Sequence, residues 1–329
     1  MEKLHHGLHV RLRSSELGTY LHADEDGHGV SLNHRRASMN SAWAVHLYQP
    51  PQELSQYLLL HSAAYGRYLA ATAAPAPPGH HGRRVEQRKY DHPEVDSCGT
   101  RWLVFATASG DGVFLRNYTG GCLRANGRHR PWNNSAATVD ESGLEETGNR
   151  RMIHWVVEPI PAREFAPLLP RPNWLTVIAA ILPSRQVVYV WMNDDGAVIR
   201  EGSLSFSGRS VFRLRSKLAR CLAANAANGI PIMGELVMCL LTSDGRLSPL
   251  VVDLPRSRQP LHIIVISVRS PAHAALRYAD VNAEQNDIPR SRIPDPVFGS
   301  VGTTAMLELS NYDVESGLSK PGSSCVPPS

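Results

Sequence analysis

The chain has 329 residues, 42% of them hydrophobic and 19% charged, with a formal net charge of +4. That length suits two domains with sizeable cores; the charge excludes a chain solvated throughout and gives no electrostatic case for nucleic acid as a specific partner. Five cysteines (Cys98, Cys122, Cys221, Cys239 and Cys325) are scattered without a C-x-x-C pair, which excludes a disulfide framework or zinc site and points to reduced thiols in the cytoplasm, the nucleus also being open.

The opening Met-Glu-Lys-Leu-His-His has no apolar run suited to a secretory signal. Next come three related segments: "VRLRSSELGTYLHA", "LLLHSAAYGRYLAA" at 58–71 and "VFLRNYTGGCLRA" at 113–125. Aligned, they stack Gly18, Gly66 and Gly120; Tyr20, Tyr68 and Cys122; Leu21, Leu69 and Leu123; Ala23, Ala71 and Ala125. Each unit closes on W-x-V, at Trp43, Trp102 and Trp155, and the glycines recur after 48 and 54 residues.

Alternation in Val10-x-Leu12 and Tyr20-x-His22 is the period-2 signal of strands, and the glycine stands where a chain reversing between two strands wants a positive φ. The first unit therefore predicts four strands, at roughly 10–14, 19–24, 30–34 and 43–48. No single unit can bury its own apolar face. Three of them close a twelve-stranded β-trefoil, with indoles filling a six-stranded barrel and hairpins capping it; a propeller needs at least four repeats.

"EPIPAREFAPLLPRPNW", 158–174, carries five prolines and reads as a linker. Beyond it, "LTVIAAILPSRQVVYVWMND" predicts a hairpin turning at Pro183-Ser184-Arg185, and Trp174 to Leu182 is half a membrane span, better suited to a buried strand. "SVFRLRSKLARCLAA", 210–224, predicts a helix with Ser210 as N-cap and Val211, Leu214, Leu218 and Cys221/Leu222 on one face. "ELVMCLLTSDGRLSPLVV" is a second hairpin turning at Asp244-Gly245, and "LHIIVISV" is a last strand. The order ββ-α-ββ-β predicts a ubiquitin-like β-grasp. The expected organisation is a trefoil over 1–160, a linker over 161–173, a β-grasp over 174–280, and a mostly disordered tail over 281–329.

"VRLRSSELGTYLHADEDGHGVSLNHRRASMNSAWAV", with "LLLHSAAYGRYLAAT" and "LRANGRHRPWNN", resembles the plant family termed domain of unknown function 569. Its N-terminal part belongs to the fascin-like, actin-cross-linking trefoil superfamily, and its C-terminal part is described as ubiquitin-like. The resemblance covers 1–160 and continues through "MIHWVVEPIP" and "PLVVDLPRSRQPL". It implies a scaffold that binds a protein partner, with actin filaments as the candidate. Fascin-like bundlers carry several tandem trefoils and this chain has one, so binding rather than bundling is expected.

No nucleophile elbow, Walker loop or dinucleotide fingerprint is present, so no catalytic residue, cofactor or enzyme activity is expected. The 15 histidines lack the spacing of a metal site, and "ADEDGHG" reads as a hairpin turn because it lacks the closing glutamate of a calcium loop. Ricin-type sugar sites carry Q-x-W, whereas the triplets here are "SAW", "TRW" and "IHW"; a glycan- or small-ligand-binding trefoil is the alternative function. The turns between second and third strands should meet at the cap. Two of them concentrate cations: His80, His81, Arg83 and Arg84, then Arg128, His129 and Arg130 beside Trp132, with Arg35-Arg36 on the rim. They form the candidate surface for an anionic partner. The sequence sets no oligomeric state.

Overall fold

A computed structural model describes residues 3–89, 98–108, 110–127, 136–140, 150–172, 184–223, 235–242 and 245–283. The chain forms two units. The first comprises 1–170 with two later stretches, 251–257 and, among the described residues, 277–283; the second comprises 171–250 and 258–276.

Twelve strands build the first unit in three sets of four. The first set is β1 (His9–Ser14), β2 (Tyr20–Ala23), β3 (Val30–Asn33) and β4 (Trp43–Tyr48). The second is β5 (Tyr57–Ser62), β6 (Tyr68–Pro75), β7 (Arg83–Arg88) and β8 (Trp102–Ala106). The third is β9 (Val113–Asn117), β10 (Cys122–Asn126), β11 (Ala136–Asp140) and β12 (Trp155–Ile160). First and fourth strands pair around a closed ring, β1-β12-β9-β8-β5-β4-β1, which leaves the barrel no open edge. Hairpins β2–β3, β6–β7 and β10–β11 cap it, and β11 joins both β3 and β7. This is the predicted β-trefoil.

The repeat columns explain the closure. Trp43, Trp102 and Trp155 are fully buried at the barrel centre with Leu21, Leu69 and Leu123. Each tryptophan pairs through its backbone with the corner residue of the following set: Trp43 with Ser62, Trp102 with Asn117, Trp155 with Ser14. Those corners hold the turn. Ser14 and Ser62 accept from Leu17 and Tyr65 through their hydroxyls, and Asn117 accepts from Thr119 through its amide oxygen, a longer side chain where the turn is one residue shorter. Gly18, Gly66 and Gly120 follow, at φ +64°, +64° and +111°. An added Cβ would find nothing within 4 Å at Gly18 or Gly120, so there the backbone angle selects glycine, not crowding.

The two later stretches complete this unit. β13 (Ala162–Arg163) pairs with β19 (Tyr278–Ala279), and Ala279 packs with Ala42, Ala63 and Ile160.

The second unit is a five-stranded sheet. Its strands are β14 (Ser184–Met192), β15 (Val198–Ser207), β16 (Leu236–Leu241), β17 (Leu247–Pro249) and β18 (Leu261–Ser267), in the order β15-β14-β18-β16-β17. β14 and β18 run parallel and the other neighbours antiparallel, which is the β-grasp arrangement. The helix α1 (Val211–Ala223) buries Val211, Leu214, Leu218, Ala219 and Leu222, and the Ser210 hydroxyl accepts from Arg213 N–H as its cap. A short helix, α2 (Pro271–Ala274), follows β18. One sequence expectation is corrected here. Ser184 and Arg185 lie inside β14, and the first hairpin turns instead at Asn193–Gly196, where the Asn193 amide oxygen accepts from Asp195 and Ala197. Residues 174–182 and 284–329, with the predicted first strand and most of the predicted tail, lie outside the described residues. No helix among the described residues is long and apolar enough to cross a membrane.

Candidate functional site

The cap is the part of the trefoil where the sequence placed its cations. Its first turn, Asp24–Gly29, is a tight reversal as expected: the Asp26 carboxylate accepts from the N–H groups of His28 and Gly29, both at 2.8 Å. This turn is covered. Arg256 N–H donates to the Glu25 carbonyl at 2.6 Å, its guanidinium lies 3.4 Å from the Glu25 carboxylate, and Pro255 stands over Gly27.

The second turn is held differently. Ala76 N–H donates to Gly82 O and His80 N–H to Pro77 O, closing the tip of β6–β7. Arg83 and Arg84 then pair in register with Val139 and Thr138 of β11. At Gly82, φ +90°, an added Cβ would overlap the Val139 carbonyl, so the hairpin lies hard against the third set of strands. Behind the contact, Asn126 donates to His81 O at 3.4 Å and to the Thr138 hydroxyl at 2.7 Å, and Arg124 bonds both Asn126 and Asp140 in a buried ion pair at 2.9 Å. Buried, multiply bonded groups of this kind fix orientation more than they add stability.

The structure thus presents His81, Arg83 and Arg84 exposed on a braced hairpin, with His80 half-buried. Arg128, His129, Arg130 and Trp132 lie outside the described residues. Arg36 does not join the rim of this surface. It pairs with the buried Glu158 carboxylate at 3.4 Å, beside Arg13 at 2.9 Å, and donates to the carbonyl of Ala283.

Sequence reasoning missed Arg88, at the far end of β7. Together with Arg83 it lines a cleft of about 270 Å³ whose other contributors include Ala70, Ala71 and Ala73 of β6. Thr72 and Thr119 also reach the cleft, but their hydroxyl protons are committed to Arg84 O and to the Asn117 amide oxygen. No repeat column flagged these residues, because they come together only when β6 and β7 pair.

Elsewhere the geometry is structural. All three repeat tryptophans are buried, so none offers a stacking face to a sugar. Among the described residues no group of three or more His, Cys, Asp or Glu side chains is arranged to hold a metal ion.

Residues 1–155 match the family model described as a beta-trefoil domain of unknown function (DUF569), and residues 183–266 match the DUF569 associated ubiquitin-like domain. The chain belongs to the DUF569 family. Among curated proteins none matches it. Similar solved structures include a ricin B-like lectin of Macrolepiota procera in complex with lactose, 15% identical, covering 46% of this chain and 96% of the lectin at a TM-score of 0.35. The SDF2-like protein from Arabidopsis thaliana is 15% identical, with 47% of this chain and 94% of that one covered at a TM-score of 0.39. A designed threefold-symmetric protein, ThreeFoil, is 16% identical, with 45% and 96% covered at 0.34.

Proposed function

We propose that this member of the DUF569 family is a non-catalytic interaction protein that docks an acidic protein partner on the β6–β7 edge of its trefoil cap. The observation that carries the reading is the pairing of exposure with bracing. Arg83 and Arg84 face solvent on a hairpin that β11 and the Arg124–Asp140 pair hold in place. Fixed cations lose little conformational freedom on binding and accelerate encounter with an acidic surface. The fascin-like resemblance makes filamentous actin the candidate. A single trefoil carries one such edge, which suits decoration of a filament rather than cross-linking.

High-speed co-sedimentation tests it. A pelleted fraction that falls when Arg83 and Arg84 are both replaced by Glu, and again as salt rises, supports the reading. Protein left wholly in the supernatant at every ratio removes actin. Partner capture from an extract that is indifferent to the double substitution removes the docking edge itself. A second reading, a small-ligand or glycan-binding trefoil, is favoured by the cleft beside Arg83; saturable, competitor-sensitive binding on a glycan array would select it.

A further inference from the structure

The five-stranded sheet of the second unit ends differently at its two edges. β17 is three residues long and includes Pro249, which blunts it as a template for another strand. β15, at the other edge, is ten residues long and carries no proline. Alternate residues of such a strand turn their N–H and C=O groups away from the neighbour, here β14. Among the described residues no strand pairs with that side; Lys217 of α1 reaches it and donates to the Ser205 carbonyl oxygen. Val198 and Ile199, at the start of the same strand, are exposed apolar side chains.

The charge beside this edge has one sign. Only Gly208 and Arg209 separate β15 from the helix cap Ser210, and Lys217, nearly two turns into α1, still reaches Ser205. The helix therefore runs back beside the strand it follows. Arg213 and Arg220, four residues before Lys217 and three after, lie in one row with it, about 6 and 4.5 Å away along the axis. Both arginines are exposed, and none of the three cations pairs with an acidic side chain among the described residues.

The faces of β15 then set a spacing. Leu204 and Phe206 turn to the buried face that α1 covers, whereas Ser203, Ser205 and Ser207 are exposed on the other. A sixth strand would continue both faces. On it, residues two apart share a face with about 7 Å between them, close to the axial step from Arg213 to Lys217. Acids at alternate positions both meet the cationic row. Adjacent acids send one to the serine face, where the exposed Glu201 repels it. As the strand docks, one of its N–H groups takes the Ser205 carbonyl and a carboxylate takes the released Lys217 ammonium.

We infer that β15 receives an extended acidic segment of a partner protein as a sixth strand, with carboxylates at alternate positions meeting Arg213 and Lys217. The site lies in the second unit and stands independently of the trefoil docking edge.

The test uses the full chain and two fluorescent ten-residue peptides of equal composition. Both are threonine and serine apart from two glutamates, spaced Glu-Thr-Glu in one and adjacent in the other. Anisotropy at low salt should show the spaced peptide binding about tenfold tighter, the worth of one charge-assisted contact. Arg213→Gln, at an exposed position, should bring the two peptides to equal affinity, and Arg83→Glu with Arg84→Glu should change neither. N-methylation of alternate residues of the spaced peptide reads the backbone pairing: one series should abolish binding and the other leave it within about twofold. Equal binding of the two peptides, a preference that survives Arg213→Gln, or tolerance of both N-methylated series overturns the inference. Loss of binding in the Arg83, Arg84 double variant moves the peptide to the trefoil and overturns it too. Failure of the spaced peptide to bind at millimolar concentration overturns it and leaves the trefoil docking edge standing.

Discussion

The indole Nε1 of Trp43 donates to the carbonyl oxygen of Leu21 at 3.1 Å, and the same bond recurs from Trp102 to Leu69 at 3.0 Å and from Trp155 to Leu123 at 2.9 Å. Each tryptophan thus fills the core with its ring, satisfies a buried carbonyl of its own repeat and pairs its backbone with the next. Trp102→Phe keeps most of the apolar bulk but strands the Leu69 carbonyl, so it should cost about 1–3 kcal/mol. Trp102→Ala adds a cavity and should cost roughly 3–5 kcal/mol. Urea denaturation resolves both; a Phe variant as stable as the parent would show that the bond contributes only geometry.

The trefoil was legible because closure by three equal units forces the same residue types into the same places. Gly18, Gly66 and Gly120 need a positive φ, and Leu21, Leu69 and Leu123 need burial against an indole. The β-grasp was legible from apolar runs, yet Ser184 and Arg185, read as part of a turn, belong to β14, whereas Asn193 makes the turn through side-chain bonds that composition does not reveal. The site was half legible. A charged loop announces Arg83 and Arg84, but Arg88 enters only through the pairing of Tyr68 with Arg88 and Ala70 with Glu86. Nothing in the sequence shows that Arg36 answers Glu158, a contact between residues 122 positions apart.

Two glycines with the same sign of φ should respond differently to alanine. At Gly18 an added methyl meets nothing, so Gly18→Ala costs only left-handed strain, about 1 kcal/mol. At Gly82 the methyl runs into the Val139 carbonyl, and β7 must part from β11. Gly82→Ala should cost at least about 2 kcal/mol more and weaken acidic-partner binding although no charge is lost. Equal losses of stability in the two variants would mean that the β7–β11 contact yields freely.

Acid should destabilise the first unit through His9. Its pKa is lowered to about 4, by burial first and by the nearby His46 second, while His46 itself bonds the Tyr68 hydroxyl at 2.8 Å and stacks on His61. The folded protein keeps the ring neutral, whereas the unfolded chain takes up a proton below about pH 6.5. Unfolding therefore binds a proton between pH 6.5 and 4, and stability falls as pH is lowered through that window, by up to about 3 kcal/mol. His9→Gln should flatten the slope. Urea midpoints at several pH values check this; an unchanged slope in the variant would assign the acid sensitivity to other groups.

The second later stretch of the first unit should be needed for that unit's stability. Arg11 is fully buried, and its guanidinium donates to Arg36 O at 2.9 Å and to Val281 O at 2.7 Å. Burial, and then Arg36, lower its pKa, so the cation depends on these acceptors and on Glu158. Arg36 in turn donates to Ala283 O, Asp280 N–H donates to Pro161 O, and Ala279 closes a small apolar cluster. A chain ending at Leu276 would lose all of these at once and leave a guanidinium with one acceptor fewer inside the fold. It should unfold at least about 3 kcal/mol more easily than a chain ending at Ala283. Tryptophan fluorescence follows the transition directly, because Trp43, Trp102 and Trp155 all report on this barrel. Arg11→Met within the chain ending at Ala283 separates causes: it removes the charge while keeping the strand pairing of Tyr278 and Ala279 with β13. A loss smaller than that of the truncation assigns the remainder to the strand pair and the alanine cluster. Equal stability of the chains ending at Leu276 and at Ala283 would show that the barrel stands without this stretch.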